Sequence, residues 1–195
     1  MFEVSISGPM AVGKTTVIQR LVENNSNFCA IYENSMENNE LFSTIYSRES
    51  SPFGRNLKQM LYINDILQRL SEVDCDVVLL DKGIEDILFF WRNSNDLEFP
   101  DCKDNSFIDK VSCMVGDSLS DLIVYLDASD EVLNLRKTYD DTRSRGFFDQ
   151  YIQNYREKER EYFLDIGAHI IQTDHLEVDQ IAFKIEELVL TMKDK

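Results

Sequence analysis

Residues 8–16, Gly-Pro-Met-Ala-Val-Gly-Lys-Thr-Thr, place two glycines, a lysine and a hydroxyl residue at the spacing that cradles a phosphate chain. Gly8 and Gly13 let the backbone curl through Pro9, Met10, Ala11 and Val12, so that N–H groups converge on anionic oxygens. Lys14 is placed to reach the terminal phosphates and Thr15 to bind Mg²⁺ through its hydroxyl, with Thr16 opening a helix whose positive end faces the same anion. The flanks agree. Phe2, Val4 and Ile6 alternate as in a short strand, and Val17, Ile18, Leu21 and Val22 recur at helical spacing. Strand, glycine loop and helix is the context that separates this motif from a chance glycine turn.

Four further groups carry chemistry. Asp81 closes the apolar run Val77–Leu80, and ligands of parallel sheets lie beyond the carboxyl ends of strands. It is a candidate Mg²⁺ ligand beside Thr15; a helix cap is the plainer role. Glu33 ends another strand-like run and is a candidate base for a substrate hydroxyl, although a surface glutamate there is ordinary. Gln59 shares a helical line with Ile63, Ile66 and Leu70, so its amide needs partners, either backbone or the edge of a flat heterocycle. Arg136, Lys137, Arg143 and Arg145 form a basic cluster in an acidic chain. Arg136 is a candidate nucleotide contact, and Arg143 and Arg145 are candidates to close over a transferring phosphoryl group; the alternative is a solvated helix end.

The elements that must position these residues alternate along the chain. Strand-like segments fall at 2–7, 29–33, 76–81, 121–127 and 169–173, separated by helix-like ones, which implies βαβ units and a parallel sheet. A last helix shows Val178, Ile181, Ala182, Ile185, Leu188, Val189 and Met192 on one face. An earlier one from about Phe148 carries an aromatic stripe read as core. Residues 93–105 are polar with one proline, a loop or small insertion.

Composition bounds the function. A chain of 195 residues with 43% hydrophobic content is expected to form one globular domain over 1–195. No apolar run suits a membrane span, and nothing at the N-terminus resembles a signal peptide, so a cytoplasmic protein is expected. The net charge of −16 argues against a nucleic acid polymer as partner but not against a nucleotide. The four cysteines lack C-x-x-C spacing and are expected as free thiols, and two histidines are too few for a histidine-rich metal site.

The order of phosphate loop, strand-end glutamate, glutamine-bearing helix, Asp81-Lys82-Gly83 and arginine-rich lid resembles the deoxynucleoside kinase and thymidylate kinase group of P-loop kinases. The resemblance spans nearly the whole chain and is weak outside the loop. Asn39-Glu40-Leu41 through Tyr46 is similar to the segment after that group's catalytic glutamate, and Asn56–Gln59 to its base-reading helix. It implies an α/β, three-layer P-loop fold with a five-stranded parallel sheet and a helical lid at about 136–150, often as a homodimer. It also implies ATP as phosphoryl donor, Lys82, Asp86 and Tyr62 near the acceptor with Glu33 and Gln59, and Asp174, after Thr173, near the nucleotide. The chain departs from the pattern where Lys82 replaces an arginine, losing its planar fork, and where Asn34 replaces a proline.

The expected function is an ATP- and Mg²⁺-dependent transfer of phosphate to a small-molecule hydroxyl, a nucleoside or deoxynucleoside first. Two rivals remain: a kinase of nucleoside monophosphates or of another alcohol such as an antibiotic, and a slow ATPase switch acting on a protein partner.

Overall fold

The apolar strands seen in the sequence assemble into a five-stranded sheet of order β2-β3-β1-β4-β5 in the computed structural model, which describes residues 1–33, 52–98, 105–139 and 146–193. The strands are β1 (Phe2–Ser7), β2 (Phe28–Ile31), β3 (Val77–Asp81), β4 (Leu122–Asp127) and β5 (His169–Gln172). β1 pairs in parallel with β3 and β4, and β4 with β5. Every residue of β3 is buried, as expected for a central strand covered on both faces. The register sets Ile6 beside Asp81, so the chain leaves β1 into the glycine loop at the level where β3 ends in a carboxylate.

Eight α-helices lie among the described residues: α1 (Lys14–Asn24), α2 (Pro52–Glu72), α3 (Ile84–Glu98), α4 (Ser106–Met114), α5 (Asp130–Tyr139), α6 (Phe148–Asn154), α7 (Arg156–Asp165) and α8 (Val178–Lys193). The chain forms two compact units, one of Met1–Ala30, Asp74–Asp81 and Ser120–Lys195, the other of Ile31–Val73 and Lys82–Leu119. In the first, α1 packs on β1 and β3 and against α8, whose buried Ile181, Ala182, Ile185 and Val189 are the face the spacing predicts. In the second, Ile63 of α2, Ile84, Leu88 and Trp91 of α3, and Ile108 and Val111 of α4 share a core.

Three expectations are corrected. Cys29 and Cys75 form a disulfide, with their Cα atoms 6.3 Å apart; the fold sets β2 beside the turn before β3, a proximity that a separation of 46 residues hides. Cys113 is free and exposed. Asn93–Glu98 continue α3 instead of opening a loop, and the Asn93 amide donates to the Phe89 carbonyl one turn back at 2.9 Å. The aromatic stripe is two helices broken at Tyr155, whose ring packs against Phe147 and Tyr151. Among the described residues no helix is long and apolar enough to cross a membrane.

Candidate active site

The glycine loop is shaped by its neighbours. Gly8 sits at φ 135, and a Cβ there would lie 2.2 Å from the Leu126 carbonyl oxygen of β4. Gly13, at φ 104, is the N-cap of α1 and leaves the helix's first N–H groups without a side-chain cap, the arrangement that suits an anion. Ala11 is left-handed too, at φ 69, a conformation that costs a non-glycine residue free energy. The Lys14 ammonium donates to the Gly8 and Pro9 carbonyls at 2.7 and 3.0 Å, so the charge lies over the loop.

Thr15 and Asp81 meet. The Thr15 hydroxyl donates to Asp81 Oδ2 at 2.6 Å, joining the start of α1 to the end of β3. Asp81 is 5% exposed. One hydroxyl and one carboxylate make a hard, all-oxygen donor pair, the kind Mg²⁺ uses when phosphates and water complete its octahedron. Among the described residues no group of three or more His, Cys, Asp or Glu makes a metal cage.

Arg136 and Asp174 lie in the same unit as the loop. The Arg136 guanidinium donates to the Val12 carbonyl and to the hydroxyl and carbonyl of Thr173. Asp174 accepts from the Ser129 N–H and the Gln172 amide, and these bonds, the Ser129 one foremost, hold its carboxyl below the usual range.

The second unit carries the groups expected at the acceptor. Glu33 lies two residues past β2, and its carboxylate accepts from the Lys82 ammonium at 2.9 Å. With Glu33 55% exposed this pair adds little stability; its effect is to orient the carboxylate. Lys82 holds φ 70 at the turn from β3 to α3, the second non-glycine left-handed residue described. Backbone strain of this kind concentrates at functional sites. Asp86, buried, accepts the Gly83 N–H at 3.0 Å through Oδ2 and so caps α3. Gln59 and Tyr62 are half-buried on α2. Arg143, Arg145 and residues 39–46 lie outside the described residues.

No protein-family model matches the sequence, and no curated protein matches it. Solved structures do. The thymidylate kinase of Candida albicans superposes with a TM-score of 0.69 at 18% identity, covering 98% of this chain and 92% of that one. The deoxyadenosine kinase of M. mycoides with bound dATP gives 0.69 at 17% identity over 96% of this chain and 99% of that one. The same enzyme with dCMP and dCDP gives 0.66 at 15% identity over 97% and 100%. The fold is that of the thymidylate and deoxyadenosine kinases.

Within this kinase-type fold, sequence reading missed a buried polar network. Asp127, at the end of β4, accepts from Arg156 at 2.5 Å and from Arg160 at 2.8 Å. Buried Glu159 accepts the phenols of Tyr125, at 3.0 Å, and of Tyr151. The spacing of Arg156 and Arg160, one turn apart on α7, was the available signal. Burial first, and then the Glu159 charge, push both phenols well above their ordinary value. Above about pH 10 the unfolded tyrosines release protons that the folded ones keep, so the folded state binds more protons and stability falls as pH rises. Stability from this source is full below about pH 10 and is lost progressively as pH rises above it. In absorbance titration at 295 nm, at least two of the eight tyrosines should stay protonated until the protein unfolds.

Proposed function

We propose that the chain is an ATP- and Mg²⁺-dependent kinase of one domain, phosphorylating a hydroxyl of a small molecule, with nucleosides and deoxynucleosides as first acceptors. The observation that carries this reading is the Thr15–Asp81 contact at the mouth of the glycine loop, because it joins a phosphate cradle to a second Mg²⁺ ligand. The fold shared with enzymes named for nucleoside and nucleotide phosphorylation adds support.

In this scheme residues 8–16 hold the triphosphate. Thr15 and Asp81 hold Mg²⁺, which screens the charge on the phosphates. Lys14, with Arg143 and Arg145 from the lid at about 136–150, neutralises charge on the transferring group. Glu33 takes the acceptor's hydroxyl proton as that oxygen bonds to the γ-phosphorus and the bond to the β,γ-bridging oxygen breaks, leaving ADP and a phosphate ester. Lys82 orients Glu33 through their 2.9 Å contact, and Gln59, Tyr62 and Asp86 shape the acceptor's environment. The net charge of −16 disfavours polymeric nucleic acid as substrate.

A screen with ATP and Mg²⁺ against nucleosides, deoxynucleosides and monophosphates, read by ADP release and product mass, tests this. One acceptor gaining a phosphate supports it. ADP release at one slow rate whatever the acceptor points instead to the switch. The thymidylate kinase likeness keeps monophosphates in the acceptor set. Glu33→Gln, which cannot take the proton, should lower kcat about 100-fold with little change in thermal stability, the Glu33 carboxylate being mostly solvated. Unchanged kcat would remove Glu33 from the chemistry.

A further inference from the structure

We propose that Arg136 is a positioning residue that aims the Gly13 amide at a bound phosphate chain; this rests on the phosphate-loop reading above. The Arg136 Nη1 donates to the Val12 carbonyl at 2.9 Å and to Thr173 Oγ1 at 3.0 Å, while Nη2 donates to the Thr173 carbonyl at 3.0 Å. Thr173 is itself anchored, since it is fully buried and both its N–H and its hydroxyl donate to the Asp127 carbonyl, at 2.8 and 2.9 Å. The guanidinium is thus fastened to the end of β4 and holds one carbonyl of the glycine loop.

That carbonyl belongs to the peptide joining Val12 to Gly13. Among the described residues no peptide bond is cis. In a planar trans peptide the C=O and the next N–H point in opposite directions, so turning the Val12 carbonyl toward Arg136 turns the Gly13 N–H away from it. Glycine itself supplies no such preference, because it holds positive and negative φ with similar ease. Arg136 therefore sets a peptide plane that Gly13 alone leaves free. The Gly13 N–H immediately precedes the uncapped first turn of α1.

Calorimetric titration of wild type, Arg136→Ala, Arg136→Lys and Thr173→Val with ATP and with tripolyphosphate tests the assignment. Arg136→Ala should bind both about tenfold more weakly and by the same factor, because the defect lies in the loop. Arg136→Lys should recover part of the loss, since an ammonium can reach the Val12 carbonyl but cannot also fork onto Thr173. Thr173→Val should weaken both ligands by a smaller, equal factor. Unchanged affinity in Arg136→Ala overturns the proposal, and so does a loss larger for ATP than for tripolyphosphate, which would put Arg136 on the nucleoside. Should Arg136→Ala fail to fold by thermal melting, the lysine and Thr173→Val variants decide by the same criteria. Wild type that binds no tripolyphosphate overturns this proposal with the phosphate-loop reading. Wild type that binds it yet transfers no phosphate overturns the kinase and leaves the positioning role standing.

Discussion

Lys14→Ala is expected to lose phosphoryl transfer by about 1000-fold in kcat/KM, a barrier increase of about 4 kcal/mol. The ammonium sits over the loop carbonyls of Gly8 and Pro9, and it is the cation that the loop itself contributes. Transfer spreads negative charge over the equatorial oxygens of the moving group, and a fixed positive charge acts more strongly there than on ATP at rest. The backbone N–H groups and the Thr15–Asp81 pair survive the substitution, so nucleotide affinity should fall far less than the rate. The two lost hydrogen bonds to loop carbonyls cost about 1 kcal/mol of stability each at most. Single-turnover transfer, with ATP affinity measured separately, shows the split. Transfer at a rate near wild type would sink the scheme, whatever the acceptor.

Gly8→Ala is expected to be the most damaging single methyl group in the loop. Its Cβ would meet the Leu126 oxygen at 2.2 Å, and the opposing atom is backbone of a central strand that cannot swing aside. The φ of 135 adds backbone strain that any L side chain resists. Overpacking and strain together come to about 4 kcal/mol, or roughly 10 °C in Tm for a chain of this size. The control is Gly13→Ala, where no atom lies within 4 Å of the added Cβ. That variant bears only the φ penalty, so its melting should sit well above that of Gly8→Ala. Equal melting of the two would show that β1 and β4 can part at this point.

What the sequence revealed follows from range. The phosphate loop, the buried β3 ending in Asp81 and the apolar face of α8 are set by neighbours along the chain, and each was readable from type and spacing. The disulfide, the Arg136–Val12 bond and the Asp127 ion pairs join residues 46, 124 and 29 or more positions apart, and no local pattern encodes them. Lys82 was readable as a charge but not as a left-handed residue, because nothing in a lysine signals positive φ. The break at Tyr155 escaped notice because an aromatic stripe at helical spacing continues across it. The Glu33–Lys82 pair shows the mixed case: both residues were singled out, and only the fold brought them to 2.9 Å.

The bond between Cys29 and Cys75 has a bearing on the melted chain as much as on the native one. It turns the intervening stretch, with Glu33, Gln59 and all of α2, into a ring that stays a ring when packing is gone. A ring of that size forfeits about 4 kcal/mol of denatured-state entropy in the loop-closure view. The denatured chain would then be more compact and expose less new surface to urea, which lowers the m-value. Adding a thiol reductant would therefore change the steepness of the unfolding curve and its midpoint together, whereas a substitution that only loosens native packing moves the midpoint alone.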